Sequence, residues 1–191
     1  MQKKIKCRAA VLFNAGLSRP YSESKPVRVE EIELDPPGFG EVLVKVSAAG
    51  LCHSDLSVVN GNRPRATPMV LGHEGSGIVE ALGDGVNDYE VGDHVVFIFV
   101  PSCGNCIPCK EGRPALCEPG LAAGGAGTLL SGEKRIRLNG DLINHQVGVS
   151  CFSEYTVVSS KSLVKVEKTL PLDEAALFGC AVITGAGAVF N

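Results

Sequence analysis

Apolar and polar residues alternate over short stretches through most of the chain, and glycine, proline and aspartate separate the stretches. From Glu41 to Ala49, Val42, Val44 and Val46 recur at period two, which predicts a half-buried strand. The apolar run Arg8 to Phe13 and the alternating stretch Val27 to Leu34 predict two more. Further strands are expected at Ser76 to Leu82, His94 to Phe99, Phe152 to Val158 and Leu163 to Val166, between turns such as Gly83-Asp84-Gly85 and Val91-Gly92-Asp93. Many short strands at this spacing predict a mainly β barrel or sandwich. Helix enters late, where Pro171 and two acidic residues open an Ala/Leu run to Leu177. Gly120 to Gly140, rich in glycine, reads as a long mobile loop. Ala186 to Asn191 ends in apolar sequence without a cap, so the natural protein is expected to continue.

Composition narrows the function classes. The 191 residues suffice for one good-sized domain and the start of a second. A balance of 18 Lys and Arg against 21 Asp and Glu lacks the basic footprint of nucleic-acid or anionic-membrane binding. No apolar run reaches the ~20 residues of a membrane span, and the basic start Met1 to Lys6 leads into no signal-peptide core, so a cytoplasmic protein is expected. Eight cysteines then point to metal rather than disulfides, because thiols stay reduced in that compartment.

Cys103, Cys106, Cys109 and Cys117 supply four sulfurs within fifteen positions. Zinc takes a tetrahedron of thiolates, and Cys-x-x-Cys spacing aims two of them from one turn. Such a site has no open position and folds a loop (about 101–119) without doing chemistry; the competing reading is four unligated thiols or a dithiol switch. A second constellation lies upstream. Cys52 follows the strongest strand, and His73 precedes the next, each near glycine. They make half of a zinc shell, and spacing alone leaves the third ligand open among Cys180, Cys7 and Cys151.

The order Gly50-x-Cys52-His53-Ser54-Asp55, Gly72-His73-Glu74-Gly75, Val91-Gly92-Asp93, the four-cysteine lobe, Phe152-Ser153-Glu154-Tyr155 and Gly179-Cys180 resembles the zinc-dependent medium-chain alcohol dehydrogenases over nearly the whole chain. The resemblance implies a GroES-like β-barrel catalytic domain with short helices over 1–180. It also implies a connecting helix beginning at 181–191 and a following α/β Rossmann domain that these residues do not include. Cys52, His73 and Cys180 match the catalytic zinc ligands, a Cys-His-Cys set already known for alcohol dehydrogenases. The lobe cysteines match the structural zinc ligands, giving two zinc ions per chain.

By the same resemblance Glu74 matches an acidic residue that can approach zinc as an alternate ligand. Asp55 matches the carboxylate that orients the zinc-bound histidine, and Ser54 the hydroxyl that passes on the alcohol proton. Where a histidine often completes that relay, this chain has Ser57. His53 stands in for it or contacts the cofactor pyrophosphate, and Phe99 matches a substrate-pocket position. His94 and His145 are expected in packing or surface roles, and Cys7 and Cys151 as buried structural thiols.

The implied reaction is reversible oxidation of a small alcohol to an aldehyde or ketone, with hydride passing to NAD or NADP in a full-length homo-oligomer. Gly185-Ala186-Gly187 lacks the third glycine of the dinucleotide fingerprint and falls on a helix, so the 191 residues alone are expected to be inactive. The alternatives are a zinc-stabilised binding or scaffold module, a thiol redox sensor, and, among enzymes, a formaldehyde dehydrogenase acting on a glutathione adduct or an aryl-alcohol dehydrogenase.

Overall fold

A computed structural model describes residues 3–190. Met1, Gln2 and Asn191, the outermost residues of the basic start and of the 181–191 segment, lie outside them. In chain order the strands are β1 (Ile5–Leu12), β2 (Val27–Leu34), β3 (Glu41–Ala49), β4 (Met69–Val70), β5 (Gly75–Leu82), β6 (His94–Phe97), β7 (Ile136–Leu138), β8 (Asp141–Leu142), β9 (Asn144–His145), β10 (Tyr155–Ser159) and β11 (Leu163–Val166). Six short helices join them: α1 (Tyr21–Ser24), α2 (His53–Val59), α3 (Ile107–Lys110), α4 (Glu118–Ala126), α5 (Leu172–Ala175) and α6 (Ala181–Phe190). The mainly β class is thus as the sequence predicts.

Two sheets form the barrel, one ordered β8-β7-β2-β1-β4-β9 and the other β10-β3-β5-β6-β11. All pairings are antiparallel except β4 with β9. Residues 152–154 stitch one sheet to the other: Ala10 N donates to Phe152 O, Glu154 N to Arg8 O, and Val46 N to Glu154 O.

Strand β3 departs from simple alternation. Val42 and Val44 enter one core cluster with Val79, Val95, Phe97 and Val158, while Leu43 enters the other with Val11, Ile32, Leu34 and Val157. Its first half is therefore buried on both faces, and only from Lys45 onward does exposure alternate. Glu41 is buried there too, which the half-buried reading did not anticipate.

The segment 120–140 is not the long loop predicted from its glycines. Pro119 opens α4, and Gly127 closes it in the left-handed conformation at φ 71°, as helix start and stop chemistry requires. A Cβ on Gly120 would come within van der Waals overlap of the Pro101 carbonyl oxygen, at 2.3 Å, so glycine lets this helix lie against the preceding segment. Beyond it Leu129, Ile136 and Leu138 are buried in the core. Strand β6 also ends at Phe97 rather than Phe99, which frees Phe99 to face the site described below. Among the described residues no single helix is long and apolar enough to cross a membrane.

Candidate metal centres and active site

The first centre forms where three chain segments meet. Cys52 caps the start of α2, directly after β3; His73 sits between β4 and β5; Cys180 closes the 3-10 turn Ala176–Gly179 ahead of α6. One donor atom from each lies within 4.8 Å of the others. Zinc bonds of about 2.3 Å to sulfur and about 2.0–2.1 Å to nitrogen, set at the tetrahedral angle, separate two sulfurs by about 3.8 Å and sulfur from nitrogen by about 3.6 Å. Cys180 Sγ lies 3.9 Å from Cys52 Sγ and 3.5 Å from His73 Nε2. The donor set and its spacing therefore fit zinc. Of the three candidates for the third ligand, Cys7 and Cys151 instead lie buried in the core, the latter donating to Glu74 O.

The surroundings fix the three donor side chains. His73 Nδ1 is 2.7 Å from Asp55 Oδ1 with both side chains buried. A carboxylate only accepts, so Nδ1 carries the proton and the Nε2 lone pair points into the cluster. Burial disfavours a charged His73 ring, yet the bond to Asp55 and its charge outweigh burial and leave the pKa raised. Asp55 is itself held: Oδ1 accepts from Gln146 Nε2 at 2.8 Å and Oδ2 from Cys52 N at 3.1 Å. Gln146 also accepts from Gly72 N, tying the β9 segment to the His73 turn. Gly72 adopts φ 98°, and a Cβ there would sit 2.4 Å from Phe152 N, so the turn that aims His73 needs glycine.

The two sulfurs are unequal. Burial raises the Cys52 thiol, but bonds from Ser54 and then His73 outweigh it and the pKa falls. Cys180 is pushed up to about 12, by burial and then by the Cys52 charge. Two thiolates this close need a cation between them, and metal binding would displace the Cys180 proton.

Ser54 Oγ donates to Cys52 Sγ at 3.1 Å and lies 3.2 Å from His73 Nε2, inside the cluster. Buried Glu74 accepts from Ala181 N at 3.1 Å, at the start of α6. Phe99 meets the His73 ring edge to face, with centroids 5.7 Å apart. Cys52, Ser54, His73, Cys180 and Phe99 share a cavity of about 280 Å³. His53 is exposed at the first turn of α2 and does not line it; its Nδ1 lies 3.5 Å from Ser57 Oγ. Gln146, Arg63 and Arg65 do line it, and nothing in local sequence singled them out. His94 and His145 stay apart from both centres. His145 is fully buried, accepts from Arg135 N, and is pushed down to about 3 by burial, so it is neutral.

The second centre gathers Cys103, Cys106, Cys109 and Cys117, all four sulfurs within 4.8 Å of one another. Asn105 N and Cys106 N both point at Cys103 Sγ, at 3.4 and 3.3 Å, and lower that thiol to about 6. Cys103 N in turn donates to Cys117 Sγ at 3.2 Å. The backbone is thus shaped around sulfur anions, and a closed four-thiolate site fits zinc.

Replacing Asp55 by asparagine is expected to weaken metal binding at the Cys52–His73–Cys180 cluster about 10- to 100-fold, since the amide cannot hold the His73 tautomer as a carboxylate does. Competition with a zinc indicator measures it; unchanged affinity would assign His73's orientation to packing.

Over 190 residues the chain is 41% identical to alcohol dehydrogenase class-3 of Drosophila melanogaster, covering 99% of this chain and 48% of that protein. Over 188 residues it is 42% identical to S-(hydroxymethyl)glutathione dehydrogenase of Synechocystis sp., covering 98% and 49%. An alcohol dehydrogenase zinc-binding domain protein of Burkholderia ambifaria superimposes with a TM-score of 0.88 at 36% identity, over 99% of this chain and 49% of that one. The chain spans about half the length of the curated relatives it matches. Residues 38–168 match the alcohol dehydrogenase GroES-like domain, and the chain belongs to that family.

Proposed function

We propose that this chain is the zinc-holding catalytic portion of a nicotinamide-dependent alcohol dehydrogenase. The observation that carries the reading is the Cys52–His73–Cys180 cluster, spaced for a tetrahedron and opening on a cavity beside the Ser54 hydroxyl. Zinc bound there would polarise an alcohol or carbonyl oxygen as a Lewis acid. The chain's own groups do the rest. Asp55, steadied by Gln146, keeps the His73 ring oriented. Ser54 Oγ stands where it can accept the substrate hydroxyl proton and pass it outward, in a step such groups speed by about 10²–10⁴-fold. Ser57 and His53, 3.5 Å apart on α2, lie outside that cavity and are the nearest candidates for an outer step of the relay. Phe99, edge to face with His73, supplies apolar wall beside the cluster. Hydride would go to NAD or NADP held outside these residues, which contain no Gly-x-Gly-x-x-Gly.

A second reading within the enzyme class, oxidation of a formaldehyde–glutathione adduct, draws support from the name of the Synechocystis relative, S-(hydroxymethyl)glutathione dehydrogenase, at 42% identity. The test of the shared reading is metal content of the purified chain, expected at two zinc ions, with alcohol oxidation assayed in the whole protein that carries it. A single ion held only by the lobe cysteines would overturn the catalytic reading in favour of a scaffold module.

A further inference from the structure

The cavity in front of the cluster has a charge that its chemistry does not explain. Arg63 and Arg65 both line it, and no carboxylate does. Asp55 and Glu74, the nearest acidic residues in sequence to the ligands, sit behind them and face His73 and Ala181 instead. Among the described residues neither guanidinium has a carboxylate partner; Arg65 Nη1 reaches only the Pro64 carbonyl, at 3.3 Å. In a chain of net charge −3, two unpaired arginines on one cavity are a specific feature. The two thiolates of the cluster would cancel a divalent ion, so the arginines are the net charge this chain presents to a substrate there.

The backbone fixes where they stand. After α2 ends at Asn60, Asn62 N donates to Asn60 Oδ1 at 2.9 Å and Arg63 N to Ser57 O at 2.8 Å. Pro64 sets the chain between the two arginines. Arginine offers a planar fork of donors that fits a carboxylate in two parallel bonds. The remaining wall combines apolar Val58, Val147 and Phe99 with the uncharged polar side chains of Gln146 and Thr184.

From this we infer that the site takes alcohols or aldehydes carrying an anionic group, a carboxylate in the first instance, which Arg63 and Arg65 bind while the reacting oxygen faces Cys52, His73 and Cys180. The inference rests on the reading of that cluster as a catalytic zinc site.

The probes are 4-(hydroxymethyl)benzoate and benzyl alcohol, which differ only by the carboxylate. Isothermal titration of the zinc-loaded chain should give an affinity ratio of about ten to a hundred in favour of the acid, shrinking as salt rises. In the double variant Arg63→Ala, Arg65→Ala the ratio should fall toward one, and in Arg63→Lys, Arg65→Lys to an intermediate value. Zinc content and circular dichroism of each variant verify its fold. The same ratio in kcat/KM should follow in the whole enzyme, where S-(hydroxymethyl)glutathione, run alongside, distinguishes the source of the carboxylate. A loss confined to the benzoate identifies a compact acid, and a loss shared by the adduct identifies a peptide acid. Equal affinities for acid and alcohol, an acid preference that survives the double alanine variant because the carboxylate seeks the metal, or a variant that weakens only the nicotinamide cofactor would each overturn the inference. Any of these can occur with zinc content at two and benzyl alcohol oxidised, so the inference can fail while the catalytic reading stands; a zinc content of one would fail both.

Discussion

Cys180→Ser is expected to lower the zinc content of the chain from two ions to one. The geometry leaves little to replace the lost sulfur. Cys52 and His73 alone supply two donors, and a serine hydroxyl is a poor zinc ligand because it stays protonated near neutral pH. Ser54 is committed to Cys52 Sγ, and Glu74 to the α6 backbone. The lobe cysteines are carried by different elements, around α3 and the start of α4, and should keep their ion. Metal analysis by mass spectrometry, together with a circular dichroism spectrum unchanged from the wild type, checks the result. Retention of both ions would remove Cys180 from the ligand set and with it the case for an open catalytic site.

How much of this was legible in the sequence depended on how local each signal is. Strands β2, β3 and β11 fall on their predicted bounds because period-two alternation is written residue by residue. The four-cysteine lobe was equally plain, since its donors come from one short segment. Cys180 was different. Nothing in its own neighbourhood separated it from Cys7 or Cys151, and only family resemblance chose it; the fold brings its sulfur across 128 positions to Cys52 and leaves the other two in the core. Gln146, 91 positions from Asp55, carried no local mark at all. Helix α4 is hidden by its glycines, which oppose helix, although Pro119 and Gly127 mark its two ends. The placement of Arg63 and Arg65 on the same cavity as His73 depends on the turn after α2, which periodicity does not report.

The largest effect on stability is expected from a pair that the sequence also concealed. Glu41, at the first position of β3, is 1% exposed, and accepts from Gly38 N at 2.7 Å, Ser131 Oγ at 2.8 Å, and Arg135 Nε and Nη2 at 2.7 and 3.4 Å. Arg135 stands one residue before β7, so the pair clasps one sheet to the other. Arg135→Met keeps much of the side-chain stem but removes the charge, leaving a buried carboxylate with neutral partners only. Breaking such a pair from one side costs about 3–5 kcal/mol, well beyond what a surface ion pair contributes. Urea denaturation of the zinc-loaded chain should show that loss, with most of it regained in the double variant Glu41→Leu, Arg135→Met, in which no charge is left buried. The regain will be incomplete, because Gly38 N and Ser131 then lose their acceptor. A loss below about 1 kcal/mol in the single variant would mean that Gly38 and Ser131 alone satisfy Glu41 and that the two sheets are held by the apolar clusters rather than by this clasp.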